Sequence, residues 1–85
     1  MVEEEVGKVI HYFSKVQAAV VHLTASIRIG EKLHFKGHTT DFTQTLESMQ
    51  IEHKPVEKAE AGEDVGIQVK EKVRENDTVY RVIEE

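Results

Sequence analysis

Ile27-Arg28-Ile29-Gly30-Glu31-Lys32-Leu33-His34-Phe35-Lys36-Gly37 reads as a turn glycine that launches an alternating strand, closed by a second glycine. Gly30 takes a positive φ without steric cost and suits a tight corner. Beyond it, Leu33 and Phe35 share one parity while Lys32, His34 and Lys36 share the other. That is the period-two signature of a strand with one face in a core and one in water.

Strand signals continue on both sides. Upstream, residues 1–5 are expected to be frayed, and a first strand runs from Val6 to His11, with Gly7 marking a bulge or a close backbone approach. Tyr12-Phe13-Ser14-Lys15 reads as a connection, and a second strand from Val16 to Thr24 is apolar on both parities, Ala18 and Val20 against Ala19, Val21 and Leu23. Such a strand is either covered twice or lies at an interface. Ala19, Val21 and Leu23 are therefore candidates for a protein interface, with cover by the chain's own loops as the alternative.

Downstream, Gly37 to Asp41 is a polar loop, and the next strand changes phase. Phe42, Gln44 and Leu46 hold one parity and Met49 and Ile51 the other, so a bend or bulge is expected around Glu47-Ser48. Pro55 cannot donate to a ladder and should end the pairing. Val56 to Asp64 is an acidic connection turning at Gly62, Val65-Ile67-Val69 alternates cleanly with Gly66 outward, and Val79 to Ile83 closes the chain after a turn at Asn76-Asp77.

Six to seven short strands with no helical stretch predict an all-β fold, a small closed antiparallel β-barrel of Greek-key character with residues 1–85 as one domain. Its expected core is Val6, Val20, Leu33, Phe35, Leu46, Ile51, Val65, Ile67, Val69 and Val82. Valine dominates the apolar set, and leucine occurs only at Leu23, Leu33 and Leu46, a mix that suits pleated surfaces.

Composition narrows the function classes. A chain of 85 residues, 39% hydrophobic and 32% charged, has the balance of a soluble globular domain. No apolar run approaches the roughly 20 residues that span a bilayer, and Val2-Glu3-Glu4-Glu5 lacks the features of a secretory leader, so no membrane partner and a cytoplasmic location are expected. The absence of cysteine excludes disulfides, zinc thiolates and a thiol nucleophile. A net charge of −5 opposes non-specific duplex binding, so any nucleic-acid contact must be local.

Several segments carry a family likeness. Gly7-Lys8-Val9, Ile29-Gly30-Glu31-Lys32-Leu33, Met49-Gln50-Ile51 and, most specifically, Ala61-Gly62-Glu63-Asp64-Val65-Gly66-Ile67 occur in one order over nearly the whole chain. As a set they resemble the second, β-barrel domain of translational GTPases of the elongation factor Tu kind. The resemblance implies a non-enzymatic module that faces RNA, with the ribosome or transfer RNA as partner. Similar barrels are also appended to collagenase-like peptidases and RNA-modifying enzymes, which makes a protein-interaction module docking on a larger protein the alternative. No G-x-x-x-x-G-K-[ST] segment is present, so neither GTP nor any other cofactor is expected.

Catalytic chemistry finds little support. His11, His22, His34, His38 and His53 lack metal-site spacing, and Ser14, Ser26 and Ser48 lack a nucleophile-elbow context, so no metal and no enzymatic activity are expected. For an RNA contact, Tyr12, Phe13, Lys15, His38, Lys54, Lys72 and Arg74 are the available aromatic and basic loop residues. The competing reading has Tyr12 and Phe13 plugging the barrel end.

Overall fold

The computed structural model describes residues 2–83. Its ten strands are Val2–Phe13 (β1), Ala18–Leu23 (β2), Ile27–Arg28 (β3), Lys32–Lys36 (β4), Asp41–Thr45 (β5), Met49–Ile51 (β6), Lys54–Pro55 (β7), Lys58–Ala59 (β8), Asp64–Gln68 (β9) and Thr78–Ile83 (β10). Eight form one antiparallel sheet in the order β5-β4-β10-β1-β2-β9-β6-β7, and β3 pairs with β8. The described residues are all-β, with no helix.

The expected strand count fell short because β3, β7 and β8 are two residues long and carry no periodicity. Pro55 lies within β7, at the end of the sheet, where its missing N–H costs no ladder bond. The expectation of frayed residues is corrected for Val2 to Glu5, which pair with Ile83 to Tyr80; residue 1 lies outside the described residues.

The closed barrel is also corrected, because no sheet among the described residues closes on itself. The sheet curls, and the chain carries itself from one edge to the other through the bend foreseen near Glu47-Ser48. Leu46 exchanges backbone hydrogen bonds with Glu31 and Gly30, both at 2.8 Å, and Met49 then pairs with Ile67 of β9. Between β5 and the end of β9 no backbone ladder forms, so the curl stays open there.

The corner at Gly30 has φ 99°, open to glycine and strained for other residues. It is locked by Glu31, whose carboxylate accepts from the Arg28 N–H at 2.7 Å and from Arg81 at 3.0 Å. Arg81 of β10 also donates to the Ser26 carbonyl at 2.8 Å and to Glu4 of β1, tying three parts of the chain together.

β1 reaches all of its neighbours because its register shifts twice, between Glu5 and Gly7 against β10 and between Val9 and His11 against β2. At Gly7 a Cβ would lie 2.6 Å from the His22 carbonyl oxygen, the close backbone approach that its position in a strand suggests. Val9 lies opposite Val21 before the second shift and Tyr12 opposite Ala19 after it, while β9 sets Val65 opposite Val21 and Ile67 opposite Ala19.

Ala19, Val21 and Leu23 consequently face the core and are almost wholly buried, which corrects their assignment to a protein interface. Val6, Leu33, Phe35, Leu46, Val65, Ile67 and Val69 join them, with the Phe35 and Phe42 rings stacked at 5.1 Å. Val20 belongs to the opposite face and is only half-buried, Ile51 packs at the core margin, and Val82 is buried outside the main cluster.

Candidate functional site

The register that buries Ala19 and Val21 turns Ala18 and Val20 outward. Val20 lies opposite His11 and Gly66, Ala18 opposite Phe13 and Gln68, and Gly66 opposite Gln50. In the turn between β1 and β2, Val16 stands 61% exposed and Phe13 before it 49%, and the Phe13 ring meets the His11 imidazole edge-on at 4.4 Å. These residues enclose a shallow depression of about 310 Å³, walled by Phe13 and Val16, floored by Ala18, Val20 and Gly66, and rimmed by Gln50, Glu52, His53 and Asp64.

The floor is flat because position 66 carries no side chain. A Cβ there would meet only the Gln50 carbonyl, at 3.9 Å, so the backbone does not require glycine at this position. At one rim His22 and Asp64 are joined by a 2.6 Å hydrogen bond. The depression is apolar inside and polar at the edge, the layout of a protein-docking surface.

The aromatic and basic candidates do not form one patch. Tyr12 faces inward and packs against the core, whereas Phe13, its neighbour, faces outward. Lys15 in the β1–β2 turn, His38 in the β4–β5 turn, and Lys72 and Arg74 before β10 share one end of the sheet, since Val69 bonds Gln17 and Lys36 pairs with Thr78. Lys54 lies at the opposite end, in the β6–β7 hairpin beyond Ile51. Acidic groups thread the end that holds Lys72 and Arg74: Glu75 lies 3.7 Å from His11, and the buried Asp77 carboxylate accepts from the Arg74 N–H at 2.8 Å.

A second polar constellation is invisible from local spacing. On the outer face of β4, His34 bonds Glu3 through Nδ1 at 2.7 Å and Asp41 through Nε2 at 2.5 Å. Ionised carboxylates only accept, so this geometry suits the imidazolium form, in which both ring nitrogens donate. Burial lowers its pKa, but the hydrogen bonds to Asp41 and Glu3 and the charges of both more than offset this, and the value is raised above 6.5. With both nitrogens donating, the ring has no lone pair to offer a substrate or a metal. Among the described residues no group of three or more histidine, aspartate or glutamate side chains is arranged to hold a metal ion.

Of the docking face, the sequence signalled the doubly apolar second strand and the outward Gly66, but assigned its two parities the wrong way round. The pairing that decides the parity, Val21 with Val9 and Val65 and Ala19 with Ile67, joins distant segments and leaves no mark in the alternation of the strand itself.

No protein-family model matches the chain. It is 40% identical over 77 residues to an uncharacterized protease of Methanocaldococcus jannaschii, covering 89% of this chain and 19% of the relative. It is likewise 40% identical over 78 residues to a collagenase of Porphyromonas gingivalis, covering 89% of this chain and 22% of the relative. The chain thus spans about a fifth of the length of these curated relatives. Among solved structures it resembles the C-terminal domain of a Geobacillus thermoleovorans protein described as a U32 peptidase, with a TM-score of 0.88 at 23% identity, covering 94% of this chain and 93% of that one. The selenomethionine variant of that domain gives a TM-score of 0.85 at 24% identity, covering 89% and 96%.

These findings correct the translation-factor resemblance. The similar segments and the shared fold come from peptidase-type proteins, so the elongation-factor reading and the RNA-binding role drawn from it are withdrawn. The glycine corners and alternating strands that suggested it are what any small curled sheet requires. Among the described residues no helix is long and apolar enough to cross a membrane.

Proposed function

We propose that this chain is a non-catalytic protein-interaction module that docks on a larger peptidase-type polypeptide through the outer face of β1, β2 and β9. The observation that carries this reading is the depression between Phe13, Val16, Ala18, Val20 and Gly66, an apolar surface the chain's own loops leave open. The likeness to about a fifth of two much longer proteases supports a partner of that kind.

The side chains support binding over chemistry. His34 is tied by two carboxylates, Arg81 is spent on Glu4, Glu31 and Ser26, and the depression is floored by alanine, valine and glycine. None of these floor groups titrates or attacks, so the module acts by association, and its own hydrolysis of peptide bonds is expected to be nil.

The test is reconstitution. The M. jannaschii protease is produced without its matching segment and mixed with this chain, and the mixture is analysed by sedimentation velocity. A heavier complex is expected with the natural chain and none with Val20→Lys, which keeps its fold because position 20 faces outward. No complex with the natural chain, or undiminished assembly by the variant, contradicts the reading.

A further inference from the structure

The open seam of the curl holds a second feature. β9 ends at Gln68 and the chain bends at Lys70; the Val69 N–H donates to Gln17 at 2.9 Å on one side, while the Gln68 carbonyl and the Lys70 N–H point the other way, toward β5. No strand takes them up. The side-chain amide of Gln44 does so instead, donating from Nε2 to the Gln68 carbonyl at 2.9 Å and accepting on Oε1 from the Lys70 N–H at 3.0 Å.

This is the pairing that a residue of a parallel strand makes, since it donates to the carbonyl before its neighbour and accepts from the N–H after it. Gln44 thus fills with one side chain the place of one peptide group. Around it lies a cleft of about 450 Å³, lined by the amides and hydroxyls of Gln17, Thr45, Ser48 and Gln68 and flanked by Glu47, Val69 and Lys70. β5, which forms the other wall, ends the main sheet and has only β4 as a strand partner.

We infer that the seam between β5 and residues 68–70 is a strand-addition site for an extended polypeptide segment, with Gln44 as the stand-in that the segment displaces. The amides and hydroxyls of the lining can serve both the donors and the acceptors of a peptide backbone, with Glu47 and Lys70 as the charged groups beside them, and an unpaired strand edge is a template for main-chain hydrogen bonding. The incoming segment runs parallel to β9, donates to the Gln68 carbonyl and accepts from the Lys70 N–H, so the two bonds lost by Gln44 are remade. This site is separate from the outer face of β1, β2 and β9, so the two can succeed or fail independently.

Nuclear magnetic resonance titration with reduced, carboxymethylated α-lactalbumin as an unfolded polypeptide, and the native folded protein as control, tests the inference. Backbone amide shifts are expected at residues 43–45 and 68–70 with the unfolded probe alone. Gln44→Ala clears the seat and should tighten binding about tenfold, the equivalent of roughly one net hydrogen bond. Lys70→Pro removes the donor N–H, whose bond is to the Gln44 side chain, and should abolish binding while leaving the fold intact. Val20→Lys should bind the probe as the natural chain does. Absence of binding, shifts confined to residues 13–20, or full binding by Lys70→Pro overturns the inference.

Discussion

Single atoms decide whether several positions tolerate change. A Cβ at Gly7 would lie 2.6 Å from the His22 carbonyl, a backbone atom that cannot swing away, whereas one at Gly66 meets nothing closer than 3.9 Å. Gly7→Ala should therefore lower stability by about 1 to 3 kcal/mol through overpacking, and Gly66→Ala should be close to neutral. Urea denaturation of the two variants checks this, and equal midpoints would contradict the bulge geometry. His34 makes stability depend on pH with a defined sign. Its pKa is raised in the folded chain, so its stabilisation is fully present below the ordinary 6.5 and is lost as pH climbs through the raised folded value. The advantage of the natural chain over His34→Gln in urea midpoint should be widest near about pH 6 and narrow by about pH 9. A constant gap would mean the bonds to Glu3 and Asp41 do not depend on the imidazolium.

Elements were legible where alternation was clean and illegible where register decided. The strand from Lys32 to Lys36 follows from period two and lies where its pattern places it, with the glycine corner before it, while the alternation from Val65 to Val69 marks a strand that ends one residue earlier, at Gln68. Two-residue pairs such as β3 with β8 have no period to read, and they depend on tertiary pairing between distant segments. β2 shows the limit most clearly, because both parities are apolar and its register against Val9 of β1 and Val65 and Ile67 of β9 chooses between them. Substitution at adjacent positions separates the two faces. Val21→Lys places a charge in the core and should unfold the chain, while Val20→Lys should stay folded. Phe35→Ala, which removes a ring stacked on Phe42, should cost about 3 to 5 kcal/mol, most of the stability of a domain this size. Circular dichroism with urea titration distinguishes these outcomes, and a folded Val21→Lys would reverse the assignment of faces.

At the scale of the whole molecule, the curl of the sheet makes two surfaces. Its core-facing side is filled by valine, leucine and phenylalanine, and its outer side carries charged ties such as those of His34 and Arg81 as well as the apolar depression beside Phe13 and Val16. The site was half legible: the doubly apolar strand pointed to it, but the aromatic and basic residues that suggested RNA are divided between the two ends of the sheet and between its inner and outer faces. Sequence could not show this because Tyr12 and Phe13 are neighbours in the chain yet opposite in the pleat. The chain resembles a segment of an M. jannaschii protease and shares the fold of the C-terminal domain of a protein described as a U32 peptidase. The most direct test of the docking account is hydrogen exchange of this chain, alone and mixed with the M. jannaschii protease lacking its matching segment. Protection confined to residues 11–20 and to the amides near Gln50 and Gly66 is the predicted result. Protection elsewhere on the outer face, around His34 and Tyr80, or none at all, would contradict it.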